Sequence, residues 1–484
     1  MYKKISFILL VLVFAQNIII ADSGKTRHHL IVDTDGAMDD FRAISMLLAC
    51  DDVDVLAITS TEGSLDAKTC SQKVQSLLNT LHHEGIQTGI SYKLKINSPK
   101  WRKFCQQVQW GNDSLAKATN TDAIELINRT IKNNEDKVTL VALGSLNSFA
   151  EWVIKHPESK EKIAQIVWYN EEKKEDGYNY SIDKESYEVI IGCGIPMSIV
   201  SNNRNNLICN TEYLSILKKS SSIYSKHILS AFQKTASIDK MHKNDIKIYD
   251  DLIPLYLSTP NLFDVVKISE TLSNIQIKET VSNETIYRET EQLLSSKDMS
   301  YNRVFKVFPL DTTLYKKEYA AFLNTTLEKY GFAEWKAIVM TNEVHGHTGI
   351  YSIIGAKMGI RACEYFNVGV NDLMVVTYAG SKPPLSCLND GIQISTGATI
   401  GQGLITISPT LITTPTVTFE FNKQMIKITV KDKIIKQMQA DIKATINKYR
   451  LTNPEYWEHV EELAQKYWSE LDRHEIFNIE YVNN

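Results

Sequence analysis

A short apolar strand that runs straight into a cluster of acids constrains this chain more than any other feature. His29-Leu30-Ile31-Val32 reads as a buried strand. Asp33, Asp35, Asp39 and Asp40 follow at once in Asp33-Thr34-Asp35-Gly36-Ala37-Met38-Asp39-Asp40. Four carboxylates packed this closely repel one another unless something positive neutralises them. A buried strand end is a poor place for water to do so, whereas a hard cation such as calcium takes several oxygens, backbone carbonyls included. A solvated loop with helix-capping aspartates is the alternative that spacing leaves open.

The residues that follow set the fold class. Ala43, Ile44, Met46, Leu47 and Leu48 have helical spacing, and Val55 to Thr59 reads as a second strand. A helical stretch from Cys70 to His82 and β-rich runs at Val138 to Ala142, Ile163 to Trp168 and Met197 to Val200 continue the alternation. This pattern predicts an α/β fold, an open, mainly parallel sheet flanked by helices. Such sheets bind ligands at the carboxyl ends of their strands, where the acidic turn lies.

Further on, Val304 to Val307 reads as a strand, followed by an amphipathic helix carrying Tyr319, Phe322, Leu323 and Leu327 and stopped by Gly331. The texture then changes. A helix from Ala333 to Met340, a His-rich turn, a second helix and two Gly/Thr-rich strands between Gly391 and Ile407 predict a smaller α+β C-terminal domain. The expected organisation is a leader at 1–22, a first domain at 27–331, a second at 332–450 and a helical tail at 451–484, with Trp457 and Trp468 as packing anchors.

At 484 residues the chain is too long for one ordinary domain. A formal net charge of -4 and the lack of a Lys/Arg block remove any electrostatic reason to expect nucleic acid as a partner. Lys3 and Lys4 before the apolar run Phe7 to Ala15, continued by Ile18 to Ala21 and ended by Asp22, have the pattern of a secretory signal. A membrane anchor is the alternative, but Gln16 and Asn17 break a run that is short of the roughly 20 apolar residues a spanning helix needs. The expectation is an exported protein, periplasmic or secreted, with no stable membrane insertion once the leader is removed. The seven cysteines contain no C-x-x-C pair, and their pairing stays open.

The acidic turn resembles the signature of the inosine-uridine nucleoside hydrolase family, and three later segments fit in order. They are Ala57 to Ser64, Ala142-Leu143-Gly144-Ser145-Leu146-Asn147-Ser148-Phe149-Ala150, and Tyr249-Asp250-Asp251-Leu252-Ile253-Pro254-Leu255-Tyr256. The resemblance implies a calcium site made of Asp35, Asp40, Asp250 and the Leu143 backbone carbonyl. It implies that Asp39 binds a ribose hydroxyl, that Asp33 supports the site and that Asp35 takes the proton of a water. Ser64 stands where the family has an asparagine, Asn179 fits a substrate-binding asparagine, and Gly177 replaces a glutamate that contacts the sugar. Trp168 falls in the substrate region, and Tyr249 replaces the histidine that helps the base depart. The implied chemistry is hydrolysis of an N-glycosidic bond in a nucleoside or related riboside, a small-molecule substrate. The family's usual dimers and tetramers leave a homo-oligomer open. The altered pocket leaves a second reading, a non-catalytic exported protein that binds a nucleoside, sugar or metal.

The second motif region is Val344-His345-Gly346-His347-Thr348-Gly349 before an apolar helix, then Cys387-Leu388-Asn389-Asp390-Gly391-Ile392-Gln393 and Ser395 to Gly403. Two histidines and a cysteine suit zinc or another borderline metal, and a Gly-rich turn with a buried thiol is the plainer alternative. The stretch resembles the formylmethanofuran dehydrogenase E-type family. That resemblance implies a second metal held by His345, His347 and Cys387, with Asp390 beside them and zinc as the candidate ion. Ala398 stands where that family often has a cysteine, which argues against a redox-active thiol set.

Overall fold

The computed structural model describes residues 28–233, 246–297, 304–410, 412–449 and 454–482, so the expected leader lies outside the described residues. Eight strands build the first sheet: β1 (His28–Thr34), β2 (Val53–Ser60), β3 (Gln87–Ile90), β4 (Val138–Ala142), β5 (Ile163–Tyr169), β6 (Met197–Val200), β7 (Phe263–Lys267) and β8 (Leu272–Ile277). Their order is β3-β2-β1-β4-β5-β6-β8-β7. All neighbours run parallel except β7 against β8.

Both faces of this sheet are covered. Along β1, Leu30 and Val32 enter one core with α1 (Met38–Ala49) and α2 (Ala67–Thr80). Ile31 enters the other core with α3 (Ala123–Asn133) and α4 (Asn147–Lys155). Side chains alternate along a strand, so a strand buried on both faces must be apolar at nearly every position. Asp66 and Asp122 start α2 and α3 by accepting bonds from backbone N–H groups of the first turn. β1 lies between β2 and β4, where the chain reverses its direction of travel across the sheet. That reversal opens a crevice at the carboxyl ends of β1 and β4.

A second sheet is made of β9 (Met374–Thr377), β10 (Ile405–Ile407), β11 (Thr416–Phe421), β12 (Gln424–Val430) and β13 (Phe477–Val482), in the order β10-β9-β11-β12-β13. Helices α5 (Leu323–His345), α6 (Ile350–Phe366), α7 (Leu388–Thr396), α8 (Asp432–Tyr449) and α9 (Pro454–Glu470) belong to this unit. Trp335, Ile353, Leu388, Met438 and Trp468 fill its core. The smaller mixed domain is thus as expected in class, but its details differ. Val304 to Val307 form no strand and stand outside both sheets, with Val304 92% exposed. The stretch after Gly391 is the rest of α7 followed by the short β10, not two strands. Leu388, Ile392, Ser395 and Thr396 recur at helical spacing and are all buried, α7 packing on α6, and burying that face outweighs a β-branched composition. The tail beyond 451 is not wholly helical, because β13 pairs with β12 along its length. Gly331 breaks α5 with a φ of 82°, yet Phe308 and Leu323 before it already sit in the second core.

The two units meet through named contacts. Arg361 holds both oxygens of Glu84 at 2.9 Å, the Gly85 N–H donates to the Tyr365 carbonyl at 2.8 Å, and Asn367 Nδ2 donates to the Leu48 carbonyl at 3.3 Å. Leu48 lies in the last turn of α1 and Glu84 follows α2, so these contacts sit at the end of α1 opposite the acidic turn. All seven cysteines are free thiols. Among the described residues no helix is long and apolar enough to cross a membrane.

Candidate active site

Three pieces of backbone bring the acids together. Asp33 and Asp35 stand at the carboxyl end of β1, Asp39 and Asp40 lie in the first turn of α1, and Asp250 precedes the helix Leu252–Ser258. Carboxylate oxygens of Asp39, Asp40 and Asp250 lie within 4.8 Å of one another. Asp40 Oδ2 accepts from Thr34 Oγ1 at 2.6 Å, from the Asp35 N–H at 3.1 Å and from the Gly36 N–H at 3.0 Å. Among the described residues its other oxygen has no partner, and the same holds for one buried oxygen each of Asp33, Asp35 and Asp250.

Burial pushes every one of these acids up. Asp33 rises to about 7 and Asp35 to about 6. Asp39, Asp40 and Asp250 rise as well through burial, with neighbouring carboxylates adding to it at Asp40 and Asp250 and the Arg42 charge opposing it at Asp39. Arg42 offsets only part of this, at Asp39, because its guanidinium clasps Asp251 through two bonds of 2.8 Å. Buried carboxylate oxygens without donors are costly unless a cation satisfies them. An all-oxygen donor set of this kind fits a hard divalent ion.

Asp35 is held closely. Ser64 bonds it through both backbone and side chain. A Cβ on Gly63 would lie 2.1 Å from Asp35 Oδ2, so the turn after β2 approaches this carboxylate only because residue 63 is glycine. Ser64 Oγ also accepts the indole N–H of Trp101 at 3.0 Å. Next to it, Arg102 bonds Glu62 at 2.8 Å and the Gly63 carbonyl at 2.7 Å. Trp101 and Arg102 were not foreseen from the sequence, since the turn they clamp lies some forty residues away and no spacing rule links them.

The remaining expected residues separate. The Leu143 carbonyl accepts Asn179 Nδ2 at 2.9 Å, and the same amide donates to the Tyr169 carbonyl at 3.2 Å. Asn179 thereby ties the short helix Tyr178–Ser181 to the ends of β4 and β5. Tyr249 is partly buried with its ring 5.6 Å from that of Tyr169, and its phenol is pushed up to about 12 by burial, Glu171 and Asp39. Trp168 does not face this crevice. It is fully buried in the core on the α3–α4 face and donates to the Gly144 carbonyl at 2.8 Å. Strand alternation places Tyr169, not Trp168, in the core on the α1 face. At Gly177 an added Cβ would meet Asn170 Oδ1 at 2.0 Å, so Asn170 fills the space where a larger residue would begin.

The second candidate site is partly assembled. His345 and His347 stand with ring centroids 4.4 Å apart, and His345 Nδ1 lies 2.7 Å from Asp390 Oδ2. His345 Nε2 is buried without a hydrogen-bond partner among the described residues. Cys387, half-buried on the turn before α7, is not gathered with the histidines as closely as the acids are with one another. An imidazole oriented by a carboxylate, with its other nitrogen free, suits a borderline metal.

Comparisons agree with both regions. Residues 30–317, more than half of the chain, match the family described as inosine-uridine preferring nucleoside hydrolase. Residues 344–478 match the one described as FmdE, molybdenum formylmethanofuran dehydrogenase operon. The pyrimidine-specific ribonucleoside hydrolase RihA of Escherichia coli O1:K1 is 25% identical over 258 residues, covering 49% of this chain and 82% of its own. Among solved structures, the plant nucleoside hydrolase PpNRh1 is 21% identical with a TM-score of 0.44, over 56% of this chain and 99% of its own. The inosine-uridine preferring nucleoside hydrolase of Bacillus anthracis is 15% identical with a TM-score of 0.46, over 55% and 99%. The chain belongs to the inosine-uridine preferring nucleoside hydrolase family, a family of N-glycosyl hydrolases, and carries an FmdE-type module fused behind that domain.

Proposed function

We propose that this protein is an exported, calcium-dependent hydrolase of the N-glycosidic bond of a nucleoside or related riboside. The observation that carries the reading is the set of buried carboxylates Asp33, Asp35, Asp40 and Asp250, each with an oxygen that has no partner among the described residues. Asp35, Asp40, Asp250 and the Leu143 carbonyl would hold the ion. Bound there, calcium would lower the cost of deprotonating a water and accept two sugar hydroxyls.

The chain's own groups then have distinct tasks. Asp35 takes the water's proton, Ser64 and the turn at Gly63 hold it in place, and Asp39 accepts a bond from a sugar hydroxyl. The water oxygen bonds to C1′ as the bond to the base nitrogen breaks, its electron pair leaving with the base through an oxocarbenium-like state. Tyr249, protonated at neutral pH, is a hydrogen-bond donor beside the sugar and not a strong acid. In the second module, His345 and His347 with Cys387 would bind a borderline metal such as zinc.

The filled space at Gly177 supports a second reading, a riboside-binding protein without turnover. The separating experiment is metal analysis of the purified mature protein, paired with a screen for free ribose over a panel led by the pyrimidine ribonucleosides that RihA's name specifies. Bound calcium with ribose release is the expected result. Calcium with tight nucleoside binding and no release selects the second reading, and a protein that binds no calcium sinks the mechanism.

A further inference from the structure

We propose that Asn179 is a positioning residue for the metal site: its side-chain amide holds the Leu143 carbonyl in place for the ion rather than donating to the sugar. The inference rests on the calcium-site reading above. Asn179 stands on the short helix Tyr178–Ser181, and its Nδ2 donates to the Leu143 carbonyl at 2.9 Å and to the Tyr169 carbonyl at 3.2 Å. Both acceptors are carbonyls, so only the NH2 end of the amide fits between them. That group has two hydrogens, and both are used here. None is left to donate to a sugar hydroxyl.

The place of this bridge in the sheet gives its reason. β4 and β5 pair as far as Ala142 and Trp168. Leu143 and Tyr169 are the next residues along, where the ladder between the two strands stops, and Asn179 ties their carbonyls together from outside. Tyr169 is still fixed by its pairing with Val200 on β6. Leu143 has left its strand, with its N–H on the Asp33 carbonyl at 2.9 Å and its side chain buried. One residue on, the Gly144 carbonyl is held by the Trp168 indole at 2.8 Å. Asn179 is what fixes the direction of the carbonyl between them.

The same stretch of backbone lies against the acids. A Cβ on Gly144 would stand 2.8 Å from Asp35 Cβ and 3.3 Å from the Asp35 nitrogen, so the chain just after Leu143 packs directly on Asp35. A carbonyl oxygen has two lone pairs, and Asn179 occupies one of those on Leu143. The other remains for a cation that the unpartnered oxygens of Asp35, Asp40 and Asp250 also serve. A carbonyl held before the ion arrives has little freedom left to lose on coordination, which is how groups behind the ligands raise metal affinity. Asn179 acts through Leu143 and touches no reacting atom.

The test titrates calcium into the metal-stripped full chain, as wild type and as Asn179→Leu, which keeps the volume and removes the amide. Terbium bound in place of calcium then reports its water count through its luminescence lifetime in light and heavy water. The variant is expected to bind calcium about 10- to 100-fold more weakly. Its terbium should carry about one more water, the one that replaces the lost carbonyl. The melting temperature without calcium should stay within about 3 °C of wild type. Unchanged affinity and hydration overturn the inference, and a weaker nucleoside Kd alongside them makes Asn179 a sugar contact. A large fall in the calcium-free melting temperature makes it a structural tie and overturns the inference too. Should Asn179→Leu not fold, Asn179→Ala is measured in the same way, and failure of both to fold counts against the inference. A wild type that binds no calcium fails the calcium-site reading first. Neither readout needs turnover, so a calcium-binding protein without activity still decides the question.

Discussion

Asp35 is bonded by Ser64, and one of its oxygens is buried with no partner among the described residues. Replacing it by Asn keeps the shape and removes the proton acceptor. Turnover should fall about 10²–10⁴-fold, read as initial rate of ribose release, while the melting temperature in excess calcium holds. Arg42 and Asp251 act differently. Their pair is fully buried and links α1 to the segment carrying Asp250, so Arg42→Met strands a carboxylate in the core. The expected loss is about 3–5 kcal/mol of unfolding free energy in urea, against near-wild-type stability for a variant with both partners replaced by apolar residues. Asp250 was legible in the sequence as a motif residue. The role of its neighbour Asp251 was not, because a salt bridge across two hundred residues leaves no local trace. Trp168 was misplaced for a related reason: one step along a strand reverses the face, and sequence alone does not say which face holds the crevice.

At the scale of elements, the segment Trp101 to Gln107 is joined to the turn after β2 by side chains. Arg102 reaches that turn twice, through an ion pair to Glu62 and a hydrogen bond to the Gly63 carbonyl. Arg102→Ala should loosen this wall without touching Asp35. KM is then expected to rise severalfold with kcat largely kept, since a wall that binds substrate and transition state alike contributes uniform binding. Steady-state kinetics on the best nucleoside of the panel decides it, and a fall in kcat alone would contradict it. The strands of the first sheet were readable because apolar runs bounded by turns are strong local signals. The strand expected at Val304 to Val307 failed because a strand needs an edge to pair with. β13 went unseen because Ile479 pairs with Ile428 on a strand some fifty residues earlier.

For the whole molecule, the junction between the units decides how the protein responds to acid. His83 is buried there, with Nδ1 2.7 Å from the Glu364 carbonyl and Nε2 3.0 Å from Tyr224 OH. Burial lowers its pKa to about 3, with Lys297 and His82 also disfavouring the charged form and Glu364 opposing them. A His with a depressed folded pKa contributes stability that is complete above its unfolded value near 6.5 and is lost as the pH falls toward 3. The His83 contribution should shrink by about 2 kcal/mol between pH 7.5 and 5. His474, stacked on His82 with centroids 3.6 Å apart, is raised and titrates in the opposite sense. The measurement is therefore the difference between wild-type and His83→Gln stability across that range, which should narrow as the pH falls, and a constant difference contradicts it. The junction also sets the two candidate sites apart. The acidic turn begins α1 and the histidines precede α6, whereas the contacts involve the far ends of both helices, about 18 Å and 25 Å along. By itself the sequence determined the alternating α/β pattern, the acidic turn and the two family signatures, because periodicity and clustered charge are local properties. Only the tertiary structure decided which oxygens are left unsatisfied, which face of β5 meets the crevice and what borders Asp35. Those depend on atoms brought together from distant parts of the chain, and packing, not spacing, sets their distances.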